Sequence, residues 1–194
     1  MDKQRTIAKE LGLKGIGLHT ANKVELTFKP AGIDSGINFI RTDLAHKPRV
    51  KVSVENLLPT ERSPRRTSIG YDTVEIQTIE HLMAALAGLA IDNLNIEIDN
   101  NEVPGLDGSS LGFLEIITQA GIIEQEKERR YFNIKEPIFA EEDGASIMVF
   151  PSRELKISYT LDYKHSFLKT QFLEIEVNSY TFQNELARAR TFCL

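Results

Sequence analysis

Glu80-His81 stands at the head of a segment with helical spacing, and this pair is the one best suited to hydrolytic chemistry in the chain. Histidine is the commonest nitrogen ligand of zinc and must be neutral to bind it. A glutamate beside it can act as general base on a metal-activated water, whose pKa coordination lowers to roughly 7. An acidic residue in a first helical turn is also favoured by the helix dipole alone, so the pair is equally compatible with an ordinary helix start. The other histidines are His19, His46 and His165. His19 follows the bend Gly15-Ile16-Gly17-Leu18, which can carry it toward other segments; read plainly, it is a polar residue at a strand end. His46 and His165 lie in charged, loop-like surroundings and read as solvated. No H-E-x-x-H, H-x-x-E-H or H-x-x-x-D spacing supplies two ligands from one helix, whereas a catalytic zinc takes three protein ligands and an open position. Thr191, within Arg188-Ala189-Arg190-Thr191-Phe192, offers a hydroxyl donor that can stabilise an oxyanion. Without that role the segment is a tail with two solvated arginines. Arg62, Arg65 and Arg66 beside Pro64 read as a solvated loop rather than a phosphate site.

The spacing of apolar positions predicts the elements that hold these residues. Val24 to Phe28 and Val50 to Val54 alternate apolar and polar and read as half-buried strands. Gly12, Gly15 and Gly17 punctuate an opening strand with tight bends. The period then changes: Leu82, Ala85, Leu86 and Leu89 share one helical face, with Thr78 as the expected N-cap and Gly88 near the stop. Leu94, Ile96 and Ile98 alternate as a strand, and Pro104 to Ser110 reads as a turn and cap. A second helix follows through Leu111, Leu114 and Ile117, ending near Gly121. The polar run Glu124 to Arg130 reads as a linker. Strands resume at Tyr131 to Ile134, Ser146 to Phe150, Leu155 to Leu161 and Phe172 to Val177, before a last helix from Tyr180 to Arg188. Segregated strands and helices make the fold class α+β. The expected division is a first domain over residues 1–123 carrying Glu80-His81, a linker over 124–130, and the start of a second domain over 131–194.

At 194 residues, 41% hydrophobic and 26% charged, the chain can build an ordinary globular core without staples. Cys193 is the sole cysteine, so no intrachain disulfide forms, which fits a reducing compartment. Asp2, Lys3, Arg5, Lys9 and Glu10 crowd the first ten residues with no apolar run behind them, unlike a signal peptide. The least polar stretch, Leu82 to Ile91, is far short of the roughly 20 residues of a membrane span. A cytoplasmic protein is expected. A net charge of −5 argues against nucleic acid as partner. No pattern specifies an oligomeric state.

A series of stretches resembles the UDP-3-O-acyl-N-acetylglucosamine deacetylases. They are Gln4 to Ile7, Gly15 to Thr20, Ile40 to Leu44, Arg65 to Thr67, Thr78 to Leu86, Gly88 to Asn93, Pro104 to Ser109 and Ala189 to Phe192, in family order over essentially the whole chain. The resemblance implies two similar α+β domains, helices packed on sheets, with the active site between them. It implies removal of the acetyl group from a UDP-linked, acylated glucosamine, the committed step toward lipid A. By that resemblance His81 is a Zn2+ ligand and Glu80 the general base. Thr191 helps hold the oxyanion, Phe192 lines the substrate site, and His19 with Leu18 lies in a substrate-side stretch. The family's remaining zinc ligands, a histidine and an aspartate on a later helix, have no counterpart here, nor does its second catalytic histidine. The chain is therefore expected to hold a truncated second domain and to be inactive alone, the alternative being a folded, non-catalytic remnant. Cys193-Leu194 departs from the family's usual small residue and aromatic.

Overall fold

Nine strands and two helices of the first unit are set by where apolar side chains can be buried. The strands are β1 (Lys3–Ile7), β2 (Leu11–Ile16), β3 (Lys23–Pro30), β4 (Ile37–Arg41), β5 (Arg49–Lys51), β6 (Ser68–Tyr71), β7 (Val74–Gln77), β8 (Leu94–Ile98) and β9 (Ile122–Glu128). The helices are α1 (Glu80–Gly88) and α2 (Leu111–Gln119). The computed structural model describes residues 2–162, 167 and 169–191, so Phe192, His165 and Cys193 lie outside the described residues. These fall into two units, residues 2–129 with 183–191, and residues 130–182. The fold is α+β.

A five-stranded sheet ordered β2-β3-β8-β4-β5 forms the centre, antiparallel except where β4 runs parallel to β8. Its register lines Phe28, Ile96, Phe39 and Val50 into one row across four strands, each fully buried. Burying such side chains contributes roughly 1.5–3 kcal/mol apiece. In β3 the buried Val24, Leu26 and Phe28 alternate with Glu25 and Thr27, the period-2 pattern read from the sequence. In α1, Leu82, Ala85 and Leu86 are buried, with Leu89 just past its end. Phe113, Leu114 and Ile117 do the same for α2, and the two helices pack together. Gly121 takes a positive φ of 74° as the chain leaves α2.

Several expectations are corrected. The run Glu124 to Arg130 is not a linker over most of its length: residues 122–128 are β9, antiparallel to β1, with Arg5↔Glu124 and Lys3↔Glu128 in register. Cross-strand ion pairs, Arg5–Glu124 at 3.2 Å and Lys3–Glu126 at 3.3 Å, explain why so polar a run is still a strand. Val50 to Val54 pairs only as far as Lys51, because a 3-10 turn at Val54–Asn56, capped by Ser53, ends it. Thr78 does not cap α1; its φ is +59° and its hydroxyl donates elsewhere, as described below. Residues 131–137 form no ladder among the described residues.

The second unit holds two antiparallel hairpins. β10 (Ile138–Glu142) pairs with β11 (Ala145–Val149), and β12 (Lys156–Leu161) pairs with β13 (Gln171–Glu176). Asp143 and Gly144, both at positive φ, make the tight turn of the first hairpin. After β13, the helix α3 (Ser179–Thr181) is one turn long, closed by a capping box on Asn178. A π-helical turn, Phe182–Leu186, replaces the rest of the helix expected to reach Arg188, and residues 183–191 belong with the first unit. Among the described residues, no helix is long and apolar enough to cross a membrane.

Candidate active site

Glu80 and His81 are the first two residues of α1, both partly exposed. The segment Arg65 to Thr67 braces this helix start. The Thr67 amide donates to Glu80 Oε2 at 3.0 Å, and the Ile79 amide donates to the Thr67 carbonyl at 3.2 Å. This bond to Oε2 orients the carboxylate.

The approach to the helix is held by a strip in which Glu102 gives no motif in the sequence. Residues 101–105 run between two other segments. On one side the Gln77 amide donates to the Asn101 carbonyl at 2.8 Å and the Val103 amide to the Gln77 carbonyl at 3.0 Å. On the other, Gly17 bridges Pro104 and the Gly105 amide donates to the Ile16 carbonyl at 3.0 Å. Glu102 sits in the middle, fully buried. Its carboxylate accepts from the His19 amide at 3.0 Å, the Thr20 amide at 2.8 Å, Thr20 Oγ1 at 2.7 Å and Thr78 Oγ1 at 2.8 Å. Gly17 leaves room for it, since a Cβ there would overlap Glu102 Oε2 and Thr20 Oγ1. Leu18 and His19 ride on this anchored backbone with their side chains exposed.

The strip continues into the turn Asp107-Gly108, which holds Thr191. The Thr191 amide donates to the Gly108 carbonyl at 2.9 Å, and Arg190 pairs with Asp107 at 3.2 Å, so Arg190 is not merely solvated. Asp107 also accepts from Ser109 Oγ at 2.6 Å. That hydrogen bond, with help from Arg190, keeps the Asp107 carboxyl below the usual range. A single stretch, residues 101–108, thus ties together the three segments carrying Leu18-His19, Glu80-His81 and Thr191. The only signal for Glu102 in the sequence was an acid between asparagines and an apolar Val103-Pro104. A shallow apolar groove of about 440 Å³ lined by Leu13, Leu106, Leu111 and Ile116 adjoins Asp107 and includes none of Glu80, His81 or His19.

Burial alone pushes the Glu102 carboxyl up, but the hydrogen bonds from Thr20, His19 and Thr78 outweigh it and leave it below the usual carboxylate range. A folded-state pKa below the unfolded one contributes stability that is complete above the ordinary glutamate range. That contribution is lost as pH falls through the lowered value. Acid titration followed by NMR is therefore expected to show the Glu102 carboxyl carbon and the His19 and Thr20 amides shifting together, at lower pH than the exposed glutamates. Glu102 titrating along with those exposed groups would contradict this.

As for metal, His81 offers one imidazole, and no group of three His, Cys, Asp or Glu lies together among the described residues. A catalytic zinc takes three protein ligands, and the described residues hold no such set.

Known proteins bear directly on this arrangement. The family profile described as UDP-3-O-acyl N-acetylglycosamine deacetylase matches residues 4–194. The UDP-3-O-acyl-N-acetylglucosamine deacetylase of Bdellovibrio bacteriovorus is 40% identical over 189 residues, covering 97% of this chain and 62% of its own length. That of Myxococcus xanthus is 39% identical, covering 97% of this chain and 59% of its own. That of Saccharophagus degradans is 39% identical over 194 residues, with 99% and 63% covered. The chain spans about three fifths of the length of these relatives.

Proposed function

Because this chain belongs to the UDP-3-O-acyl-N-acetylglucosamine deacetylase family, we propose that it contributes the general base and one zinc ligand to deacetylation of a UDP-linked, acylated glucosamine. The observation that carries the reading is Glu80-His81 at the start of α1, with the carboxylate fixed by the Thr67 amide. Zinc, when bound, supplies Lewis acidity to the substrate carbonyl and to water. His81 is one of its ligands, and the others come from the length of the relatives that these residues do not span. Glu80 acts as the general base, its Oε1 taking the proton of the attacking water. The Thr191 hydroxyl, on a backbone fixed to Gly108, donates toward the developing oxyanion. Leu18, His19 and Phe192 belong to the substrate side. The site serves lipid A synthesis in the cytoplasm, and with no group of three ligands among the described residues, these residues by themselves would not hold a catalytic zinc.

The test uses the natural gene product that contains these residues. With UDP-3-O-acyl-N-acetylglucosamine it is expected to release acetate, to stop when a chelator removes its metal, and to recover when zinc is returned. No acetate from zinc-replete protein would end the proposal. A folded, non-catalytic remnant would give that negative result while still melting cooperatively.

A further inference from the structure

Glu102 is a fully buried side chain whose charge the reaction proposed above does not use. We infer that it is a positioning residue, whose carboxylate locks the Leu18-His19-Thr20 loop to the turn that launches Glu80-His81. The inference rests on that reading for the roles of the two segments it joins.

The geometry divides the carboxylate's two oxygens between them. Oε2 takes the Thr20 amide at 2.8 Å and the Thr20 hydroxyl at 2.7 Å. Oε1 takes the Thr78 hydroxyl at 2.8 Å. The His19 amide lies between, 3.0 Å from Oε1 and 3.2 Å from Oε2. An ionised carboxylate accepts only, and here every partner donates, so the acceptor set matches the donors without a mismatched proton. Local bonds close the loop on itself, the Gly17 amide donating to the Asn22 carbonyl at 2.9 Å and the Ala21 amide to the Gly17 carbonyl at 3.1 Å. Glu102 instead ties it to the turn, through partners 82 and 83 residues away on one side and 24 on the other.

Thr78 shows why the turn needs holding. A β-branched residue at φ +59° occupies a conformation that costs free energy unless its surroundings over-determine it. The strip fixes the backbone of Gln77, and Glu102 Oε1 fixes the Thr78 hydroxyl, two residues before Glu80. The path from the His19 amide through Glu102 to Thr78 is thus a single rigid link. A merely structural anchor would work equally well with a neutral, apolar contact, because burying a charge is itself unfavourable. What the charge adds is fixed direction toward four donors at once.

Amide hydrogen exchange on the folded chain, wild type against Glu102→Gln, tests the link. Glutamine keeps one acceptor oxygen, and at either oxygen's place its NH2 faces the His19 amide, 3.0 Å from Oε1 and 3.2 Å from Oε2. His19 and its neighbour Thr20 are therefore expected to exchange about tenfold faster while β3 and β8 keep their rates. In the acetate-release assay, KM is expected to rise about tenfold with kcat within about threefold, because the displaced segment carries the substrate side rather than the base. Thr78→Val is expected to raise exchange at residues 78–81 with His19 and Thr20 protected, and Thr78→Ser to restore the wild-type pattern. Should Glu102→Gln fail to fold, Thr20→Val keeps the charge and both amide bonds, and a local rise of about threefold at Thr20 is expected. Unchanged exchange at His19 and Thr20 in the folded variant overturns the inference, as does a rise spread evenly over the sheet. The exchange readout needs no turnover. Local release in a protein that never yields acetate would sustain the link and remove the deacetylase reading, whereas unchanged exchange in an active enzyme would remove the link alone.

Discussion

Replacing Glu80 with glutamine is expected to lower acetate release by the gene product about 10²- to 10⁴-fold, the typical worth of a general base. Substrate affinity should stay within a few-fold. Glutamine has the same shape, and its carbonyl oxygen can still accept the Thr67 amide that now reaches Glu80 Oε2 at 3.0 Å. What is lost is a group able to take the water's proton. Steady-state kinetics on zinc-loaded protein measures the difference, with thermal melting as the check that α1 is intact. Turnover within a few-fold of wild type would show that Glu80 only braces the helix start.

His81→Ala is expected to act earlier, on the metal itself. His81 is partly exposed at the second position of α1, outside the apolar face of Leu82, Ala85 and Leu86, so alanine should leave the fold standing. Losing one of three protein ligands should weaken zinc by more than the 10- to 100-fold that outer-shell partners typically cost. Acetate release should fall with metal content and recover in part at high zinc. Metal analysis of the dialysed variant decides the matter: a full zinc complement would show that His81 is not a ligand.

Much of the scaffold could be read from alternation and helical spacing, and the reasons for the misses are physical. β3 and β8 each bury one face, so their residues alternate, and α1 buries one stripe. β4 was passed over because Asn38 and Phe39 are both buried, as expected of a strand beside a parallel neighbour. β9 was misread because ion pairs with β1 satisfy a run whose composition looks like solvent. At the site, residue types suited to hydrolysis were visible in Glu80-His81, but the ties between segments were not. Glu102 gains its partners only when chain 24 to 83 residues away folds against it. The resembling stretches also divide by task. Arg41 clamps Asp43 at 2.6 Å and the Glu75 carbonyl at 2.8 Å, while Asp92 takes the Arg5 amide at 2.8 Å, both serving architecture rather than chemistry.

The pairing of β1 with β9 has a consequence for synthesis of the protein. Residues 3–7 leave the ribosome long before their ladder partners, residues 122–128. Closing so long a loop costs about 2 kcal/mol more in chain entropy than closing a ten-residue one, and such distant contacts slow folding. Until Glu128 emerges, the buried Ile7 and the backbone edge of β1 have no ladder to join. A nascent chain arrested before β9 should therefore be far more sensitive to protease near its start than one arrested after it. Closure of the β1 ladder thus waits on synthesis of residues 122–128.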